Sequence, residues 1–184
     1  YEKFIGRQMD GLTIGVIGYG RLGSIYANYC LAFGSRVLIF DPYKDINSEK
    51  IVQVDDVRLL LRESDVISLH VHVTIETKNM VDKKWFKQMK PEVVLVNTSR
   101  GEVIVEQDLV EFLSLNKNAM IASDVLSNEI QNRNDSSLLK YALKSNQVII
   151  TPHIGGMTRE AQEIAYNHVT EMLATYVKEN FDAL

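Results

Sequence analysis

Cysteine is nearly absent from this 184-residue chain, in which Cys30 stands alone. One cysteine excludes an internal disulfide and gives no sign of an oxidising compartment. No apolar run approaches the length of a membrane-spanning helix, and the N-terminus lacks a signal-peptide pattern. The net charge of −4 gives no general attraction to nucleic acid or anionic lipid. We therefore expect a cytoplasmic protein that binds neither nucleic acid nor membrane.

Metal-ligand patterns are missing as well. The four histidines and the single cysteine do not fall at the spacings that metal sites use. We expect no bound metal. The chain begins with Tyr1 rather than methionine, and we expect it to be part of a longer protein.

Short apolar runs alternate with helical segments along the chain. Each run is too brief for a helix and is bounded by polar or turn residues. The predicted strands are Leu12–Ile17, Arg36–Phe40, Val66–Leu69, Val93–Val96, Met120–Ala122 and Val148–Ile150. The predicted helices are Ser24–Phe33, Val54–Arg62, Lys83–Met89, Val105–Leu115, Ser137–Leu143 and a long final helix over about 157–180. This alternation predicts an α/β fold, a Rossmann-type doubly wound parallel sheet in three α/β/α layers.

A glycine-rich turn, Gly18-Tyr19-Gly20-Arg21-Leu22-Gly23, lies between the first predicted strand and the first predicted helix. In this setting the first glycine permits a tight turn, and the second lets the backbone approach a pyrophosphate. The third glycine allows close helix–sheet packing, and the helix N-terminus favours phosphate charge. The alternative is an ordinary glycine turn, but its position between strand and helix favours a dinucleotide site.

An acid follows the second predicted strand at the position that a ribose contact requires. Asp41 comes 23 residues after Gly18 and can accept hydrogen bonds from both ribose hydroxyls. Its charge would repel a 2′-phosphate, so the sequence favours NAD over NADP. The alternative role for Asp41 is a helix or turn cap.

Candidate catalytic residues follow further predicted strands. Arg100 follows Val93–Val96, and a guanidinium there can hold a carboxylate and polarise the adjacent keto oxygen. His153 follows Val148–Ile150 and titrates in the range needed for proton transfer. Glu129 lies in the polar loop Ser127–Ser137, which we expect to be exposed, and can orient His153. Singly these residues also suit a surface arginine, a turn histidine and a loop acid, so the interpretation depends on the set.

The set resembles the nucleotide-binding domain of the D-isomer-specific 2-hydroxyacid dehydrogenases, which include D-lactate, glycerate and 3-phosphoglycerate dehydrogenases. The likeness covers about Gly11 to Ala161 and depends on G-V-I-G-Y-G-R-L-G, D-V-I-S-L-H-V, N-T-S-R-G-E, S-D-V-L-S-N-E and T-P-H-I-G-G-M-T-R-E-A. It implies hydride transfer between NAD(H) and a small 2-hydroxy or 2-keto acid, with Arg100, Glu129 and His153 as catalytic residues. The implied cofactor contacts are Gly18, Gly20, Arg21, Leu22, Gly23, Asp41, Val71, Thr98, Ser99, Arg100, Asp124, His153, Gly155 and Gly156.

Three positions depart from the family pattern, which commonly has proline there. They are His72, Ile75 and Ile130, the last directly after Glu129. Fewer prolines leave the backbone less preset near the nicotinamide and around Glu129. His72 is either a plain loop substitution, which we favour, or an added polar group facing the site.

The resemblance also implies a second, substrate-binding domain whose N-terminal part this chain lacks. We therefore interpret 1–184 as one NAD-binding domain that is inactive alone, with a final helix that leads toward the missing domain. The family likeness further implies a homodimer. Alternatives are an NAD-sensing oligomerisation module, as in the C-terminal-binding-protein corepressors, and a dehydrogenase acting on formate or phosphite.

Overall fold

Seven short strands form one sheet in the computed structural model, which describes residues 6–181. The strands are β1 (Thr13–Ile17), β2 (Arg36–Phe40), β3 (Ile51–Gln53), β4 (Val66–Leu69), β5 (Val94–Asn97), β6 (Met120–Ser123) and β7 (Val148–Ile150). The helices are α1 (Arg21–Ala32), α2 (Val57–Glu63), α3 (Lys83–Phe86), α4 (Glu106–Leu115), α5 (Glu129–Asn132), α6 (Ser137–Ala142) and α7 (Arg159–Phe181).

The strand order is β3-β2-β1-β4-β5-β6-β7, and every neighbouring pair is parallel. The order reverses between β1 and β4, which is the switch point where doubly wound sheets bind ligands. The predicted Rossmann-type α/β fold is confirmed.

Buried side chains lie on both faces of the sheet, because successive strand residues point to opposite sides. On one face Ile14 and Val16 of β1 pack with Ala27 and Cys30 of α1. The opposite face holds the larger cluster, built from strand residues and from helices α2, α3, α4 and α6. Two covered faces explain why the strands are predominantly apolar.

Side-chain caps fix where several helices begin. The carboxylate of Asp56 accepts the N–H of Arg58 before α2, and that of Asp82 accepts the N–H groups of Lys84 and Trp85. Such caps satisfy N–H groups that have no partner within the helix. The helices therefore start close to the predicted positions.

Two short elements differ from the sequence predictions. β3 was not expected, and it adds a strand at one edge of the sheet. The expected loop Ser127–Ser137 contains α5 and a 3-10 turn at Arg133–Asp135.

The chain divides into two compact units after Thr151. The first contains the whole sheet, and the second contains α7, a helix of 23 residues close to the predicted final helix. None of the helices between residues 6 and 181 combines the length and hydrophobicity that crossing a membrane requires.

Candidate cofactor and catalytic site

The predicted site residues cluster in sequence just beyond the carboxyl ends of the strands. Gly18 follows β1, Asp41 follows β2, Thr98 follows β5 and Asp124 follows β6. Backbone hydrogen bonds continue past the strands at this edge, from Gly18 N–H to Phe40 O (3.0 Å) and from Asp124 N–H to Asn97 O (2.9 Å). These residues therefore lie at one edge of the sheet, on backbone that is still hydrogen-bonded to the neighbouring strands.

The glycine turn has the geometry that the sequence predicts for a phosphate cradle. Gly18 has φ of 91°, and a Cβ there would lie 2.5 Å from the carbonyl oxygen of His70. A Cβ at Gly23 would lie 2.1 Å from the Gly18 oxygen, so α1 approaches the turn closely. At Gly20 a Cβ would meet no atom within 4 Å, which leaves that backbone accessible to a ligand. These residues fit a pyrophosphate at the N-terminus of α1.

Asp41 is tied to the glycine turn. Its Oδ2 accepts the N–H of Tyr19 (2.7 Å), and its Oδ1 accepts the N–H of Tyr43 (3.0 Å). Each carboxylate oxygen keeps a second lone pair that can accept a hydroxyl. Asp41 therefore stabilises the turn through hydrogen bonds and can still bind ribose. The two roles that the sequence suggests, a ribose contact and a turn cap, are compatible.

A cleft of about 1000 Å³ opens between the glycine turn and the loops after β2 and β4. Its walls include four predicted cofactor residues, Gly18, Gly20, Asp41 and Val71. A cleft of this size suits a ligand as large as a dinucleotide. The side of the cleft near Asp41 is where the sequence places the adenosine ribose.

The loop that carries Arg100 is organised by a residue that sequence reasoning missed. Asn97, at the end of β5, is almost fully buried. Its Oδ1 accepts the N–H of Ser99 (3.0 Å), and its amide donates to the Arg100 oxygen (3.0 Å). The guanidinium of Arg100 is exposed and donates to Ser99 O (2.7 Å). Asn97 therefore fixes the backbone, while the Arg100 side chain stays accessible to a substrate.

The loops that carry Arg100 and Glu129 are in contact. A Cβ at Gly101 would lie 2.0 Å from the carbonyl carbon of Leu126, and the Ser127 hydroxyl donates to Gly101 O (3.1 Å). Oε2 of Glu129 accepts the N–H of Leu126 (3.0 Å). The candidate acid thus belongs to a loop packed directly against the residue after Arg100.

Glu106 is a second residue that sequence reasoning missed. One carboxylate oxygen accepts the N–H of Ser127 (3.0 Å). The other accepts the Ser136 hydroxyl (2.8 Å) and the N–H of Leu138 (3.2 Å). Glu106 therefore holds both ends of the segment that carries Glu129. An acid in the first turn of a helix is ordinary, so its position alone gave no signal.

Asp124 is buried, and its Oδ1 accepts the hydroxyl of Thr151. The Thr151 N–H donates to Ser123 O (3.0 Å), so the end of β7 is held to the end of β6. Asp124 therefore lies at the carboxyl edge of the sheet, and its contact with the cofactor stays a prediction.

His153, Gly155 and Gly156 lie in the second unit, which begins at Pro152. His153 has φ of 55°, a left-handed conformation that is uncommon outside glycine and more frequent for histidine than for most residues. Unusual backbone of this kind is found preferentially at functional sites.

Two threonines organise the loop in which His72 and Ile75 replace family prolines. Thr74 Oγ1 accepts the N–H groups of Glu76 and Thr77 (both 3.2 Å), and Thr77 Oγ1 accepts the N–H of Thr74 (2.8 Å). Side-chain turns of this type preset a backbone that lacks proline. His72 is exposed and is among the residues that line the cleft.

Between residues 6 and 181, no three histidine, cysteine, aspartate or glutamate side chains come together as a metal site would require.

Comparisons with known proteins agree with this architecture. The model of the family described as D-isomer specific 2-hydroxyacid dehydrogenase, NAD binding domain, matches residues 1–155. A hydroxypyruvate reductase of Blautia hydrogenotrophica is 38% identical over 90% of the chain and 52% of its own length. A D-3-phosphoglycerate dehydrogenase of Archaeoglobus fulgidus is 39% identical over 88% of the chain and 30% of its own length.

Solved structures show the same likeness. D-lactate dehydrogenase from Aquifex aeolicus, complexed with NAD and lactic acid, superposes with a TM-score of 0.87 at 33% identity. That match covers 98% of this chain and 57% of the other. An acyclic imino acid reductase in complex with NADPH and D-Arg superposes with a TM-score of 0.84 at 30% identity. The chain thus spans about half the length of most of these relatives, and less of the phosphoglycerate dehydrogenase.

Proposed function

The chain belongs to the D-isomer specific 2-hydroxyacid dehydrogenase family, and from that membership we propose that it is the NAD-binding domain of an enzyme that interconverts a small 2-keto acid and its D-2-hydroxy acid. Bound NADH supplies the hydride that reduces C2 of the keto acid. The whole protein contains a further, substrate-binding domain, and residues 1–184 alone do not turn over.

Three side chains carry the proposed chemistry. The Arg100 guanidinium binds the substrate carboxylate and polarises the keto oxygen. His153 donates a proton to that oxygen as the alkoxide forms, and removes the proton when the hydroxy acid is oxidised. Glu129 orients the imidazole and stabilises its charged form. The proposed cofactor contacts are the set given by the sequence, with Asp41 on the ribose.

The observation that carries the proposal is the packing of two loops at the carboxyl edge of the sheet. Gly101 contacts Leu126 and Ser127, which joins the loop of Arg100 to the loop of Glu129. The proposed chemistry uses an arginine for the substrate carboxylate and an acid for the imidazole, and these contacting loops hold both of them.

The test uses the full-length protein, NADH and a panel of 2-keto acids, with turnover followed by NADH absorbance. We expect His153→Asn to lower kcat about 10²-fold to 10⁴-fold while NADH still binds. Glu129→Gln should lower kcat with little change in the Kd for NADH, because the proposed role of the carboxylate is to orient the imidazole. Arg133→Gln, an exposed arginine in the 3-10 turn after Glu129, is the matched control and should leave both parameters unchanged.

Absence of turnover with every keto acid, despite NADH binding, would contradict the enzymatic proposal. It would favour the alternative of an NAD-sensing oligomerisation module. Turnover of formate or phosphite alone would favour the other dehydrogenase alternative. The identity of the D-acid depends on the substrate-binding domain.

We also propose that the protein is a homodimer in the cytoplasm. Ile25, Tyr29 and Phe33 are exposed large apolar residues of α1 and of its C-terminal cap, at spacings that share one helix face. Contiguous exposed apolar surface is typical of protein interfaces. A sedimentation mass equal to one chain would count against the dimer.

A further inference from the structure

Two loops on opposite walls of the cofactor cleft are joined by a hydrogen bond. The loop after β2 carries Tyr43, and the loop after β4 carries Glu76. The Tyr43 phenol donates to Oε2 of Glu76, 33 residues further along the chain, and both residues line the cleft. The pair therefore connects the two walls near Asp41, whose Oδ1 accepts the N–H of Tyr43 (3.0 Å).

Glu76 is exposed, but its backbone is fixed. It lies within the hydrogen-bonded turn formed by Thr74 and Thr77, whose hydroxyl groups accept N–H groups from inside the turn. A carboxylate on such a turn, with one oxygen bound to a phenol, samples fewer positions than a free surface glutamate.

The charges along the cleft are of one sign. Asp41 and Glu76 are its acidic residues, and neither lysine nor arginine is found among the residues that the structure shows lining it. The hydrogen bond to Glu76, and the negative charges of Glu76 and Asp41, raise the pKa of the Tyr43 phenol. Burial lowers the pKa of His70, which disfavours a positive charge on this lining histidine. The lining residues of the described part of the chain therefore supply two negative charges and no lysine or arginine beside the ribose position, and the nearest cations in sequence, Arg21 and Lys44, adjoin the lining without belonging to it.

We propose that Glu76, held by Tyr43, is a second determinant of cofactor choice, which places a negative charge near the adenosine ribose and rejects the 2′-phosphate of NADP(H). This inference rests on the proposed placement of the ribose at Asp41. An acid at the end of β2 is the ordinary determinant in dinucleotide sites. Glu76 adds a second negative charge from the opposite wall of the cleft. This charge would remain if Asp41 were substituted.

The expected size of the effect follows from Coulomb's law. A phosphate dianion several ångströms from one carboxylate, in a solvent-exposed cleft, loses about threefold to tenfold in affinity at low ionic strength. Both cofactors otherwise make the same contacts, so NADH binding should be insensitive to the charge.

The experiment is a paired fluorescence titration of the full-length protein with NADH and NADPH, at pH 8.0 and low salt. At this pH an ordinary histidine is neutral. Glu76→Gln keeps an oxygen that can accept the Tyr43 hydroxyl and removes only the charge. We expect the Kd for NADPH to fall about threefold to tenfold and that for NADH to change less than twofold. The effect of Glu76→Gln on the Kd for NADPH should be smaller at high salt.

Two further variants complete the test. Glu92→Gln removes the same charge at the amino end of β5, away from the strand ends that line the cleft, and should leave the Kd ratio unchanged. Tyr43→Phe keeps the ring and both acids but removes the hydrogen bond between Tyr43 and Glu76. It should lower the Kd for NADPH by less than Glu76→Gln does. Circular dichroism confirms that each variant is folded.

The outcomes separate this inference from the proposed function. If the wild type prefers NADH and Glu76→Gln leaves the ratio equal to that of Glu92→Gln, the inference is wrong and the cofactor site stands. If Tyr43→Phe has no effect on the ratio, the holding role of Tyr43 is wrong. If the wild type binds neither cofactor, the cofactor assignment and the inference both fail.

Discussion

Gly101 is a position at which one added methyl group should damage the candidate catalytic loops. It follows Arg100, and a Cβ there would lie 2.0 Å from the carbonyl carbon of Leu126 and 2.3 Å from the nitrogen of Ser127. These are backbone atoms, so no side-chain rotation relieves the overlap. Restoring ordinary contact requires one loop to move by about 1 Å or more. Gly101→Ala therefore separates the loop of Arg100 from that of Glu129.

The magnitude follows from the overlap. Overpacking a well-packed site costs about 1–3 kcal/mol in the free energy of unfolding. For a chain of this size that cost lowers the melting temperature by about 3 to 10 °C. Misplacing catalytic groups by about 1 Å lowers kcat/KM roughly 10²-fold. The Kd for NADH should change by a smaller factor than kcat/KM, because the glycine turn follows β1 and stays in place, while the cofactor contacts proposed at Thr98, Ser99 and Arg100 lie on the displaced loop.

The assay combines a thermal melt with kcat/KM of the full-length protein for its best keto acid. Gly11→Ala is the matched control, because a Cβ at this exposed glycine would meet no atom within 4 Å. The reasoning is refuted if Gly101→Ala melts within 1 °C of Gly11→Ala and retains its kcat/KM.

Three further substitutions test other parts of the structure. Gly20→Ala should leave the melting temperature unchanged, because no protein atom lies near the added Cβ, yet weaken NADH binding at least about tenfold in a fluorescence titration; equal affinity would remove the phosphate cradle. Glu106→Gln cannot accept hydrogen bonds on both sides, and should cost about 1–3 kcal/mol in a denaturant titration, with Glu92→Gln as the unaffected control. Burial alone would raise the pKa of Asp65, but the Thr13 N–H and the cations Lys90 and Arg7 lower it to about 2. That carboxylate therefore adds about 2 kcal/mol to the free energy of unfolding above pH 4, and this contribution is lost as the pH falls through 2. Relative to the Asp65→Asn variant, the wild type should lose this advantage between pH 5 and pH 2. A constant difference in the free energy of unfolding between the two proteins would contradict the prediction.

The sheet was predictable because its strands are buried on both faces. A run such as Val66–Leu69, apolar and bounded by polar residues, has few other structures available, and its predicted bounds are those observed. β3 and α5 were missed because each is short and carries polar residues, Gln53 in β3 and Glu129, Gln131 and Asn132 in α5. β7 is as short as β3 and was predicted, because its three residues are all aliphatic.

The candidate site was predictable where it depends on strand ends. Gly18 and Asp41 follow strands directly, and parallel strands bring their carboxyl ends to one edge. The contacts of Glu106 were not predictable, because its partners Ser127 and Leu138 lie 21 and 32 residues away. The same holds for Tyr43 and Glu76 across the cleft. Such pairs depend on how loops meet above the sheet, and nothing in the local sequence of either loop specifies the other.

Stability and cofactor specificity therefore depend on different parts of this domain. Ile17 and Leu69 are buried in the sheet that supports the cleft, whereas Glu76 and Tyr43 stand on exposed loops above it. Exposed loop residues contribute little packing energy, so these positions can change with small cost to the fold. Ile75 shows the consequence, because it is fully exposed at a position where the family resemblance led us to expect proline, and hydrogen bonds from the neighbouring threonines preset the turn instead. Cofactor choice can thus be altered from the loop after β4 without repacking the core, which is why charge at Glu76, rather than core composition, is the property to vary.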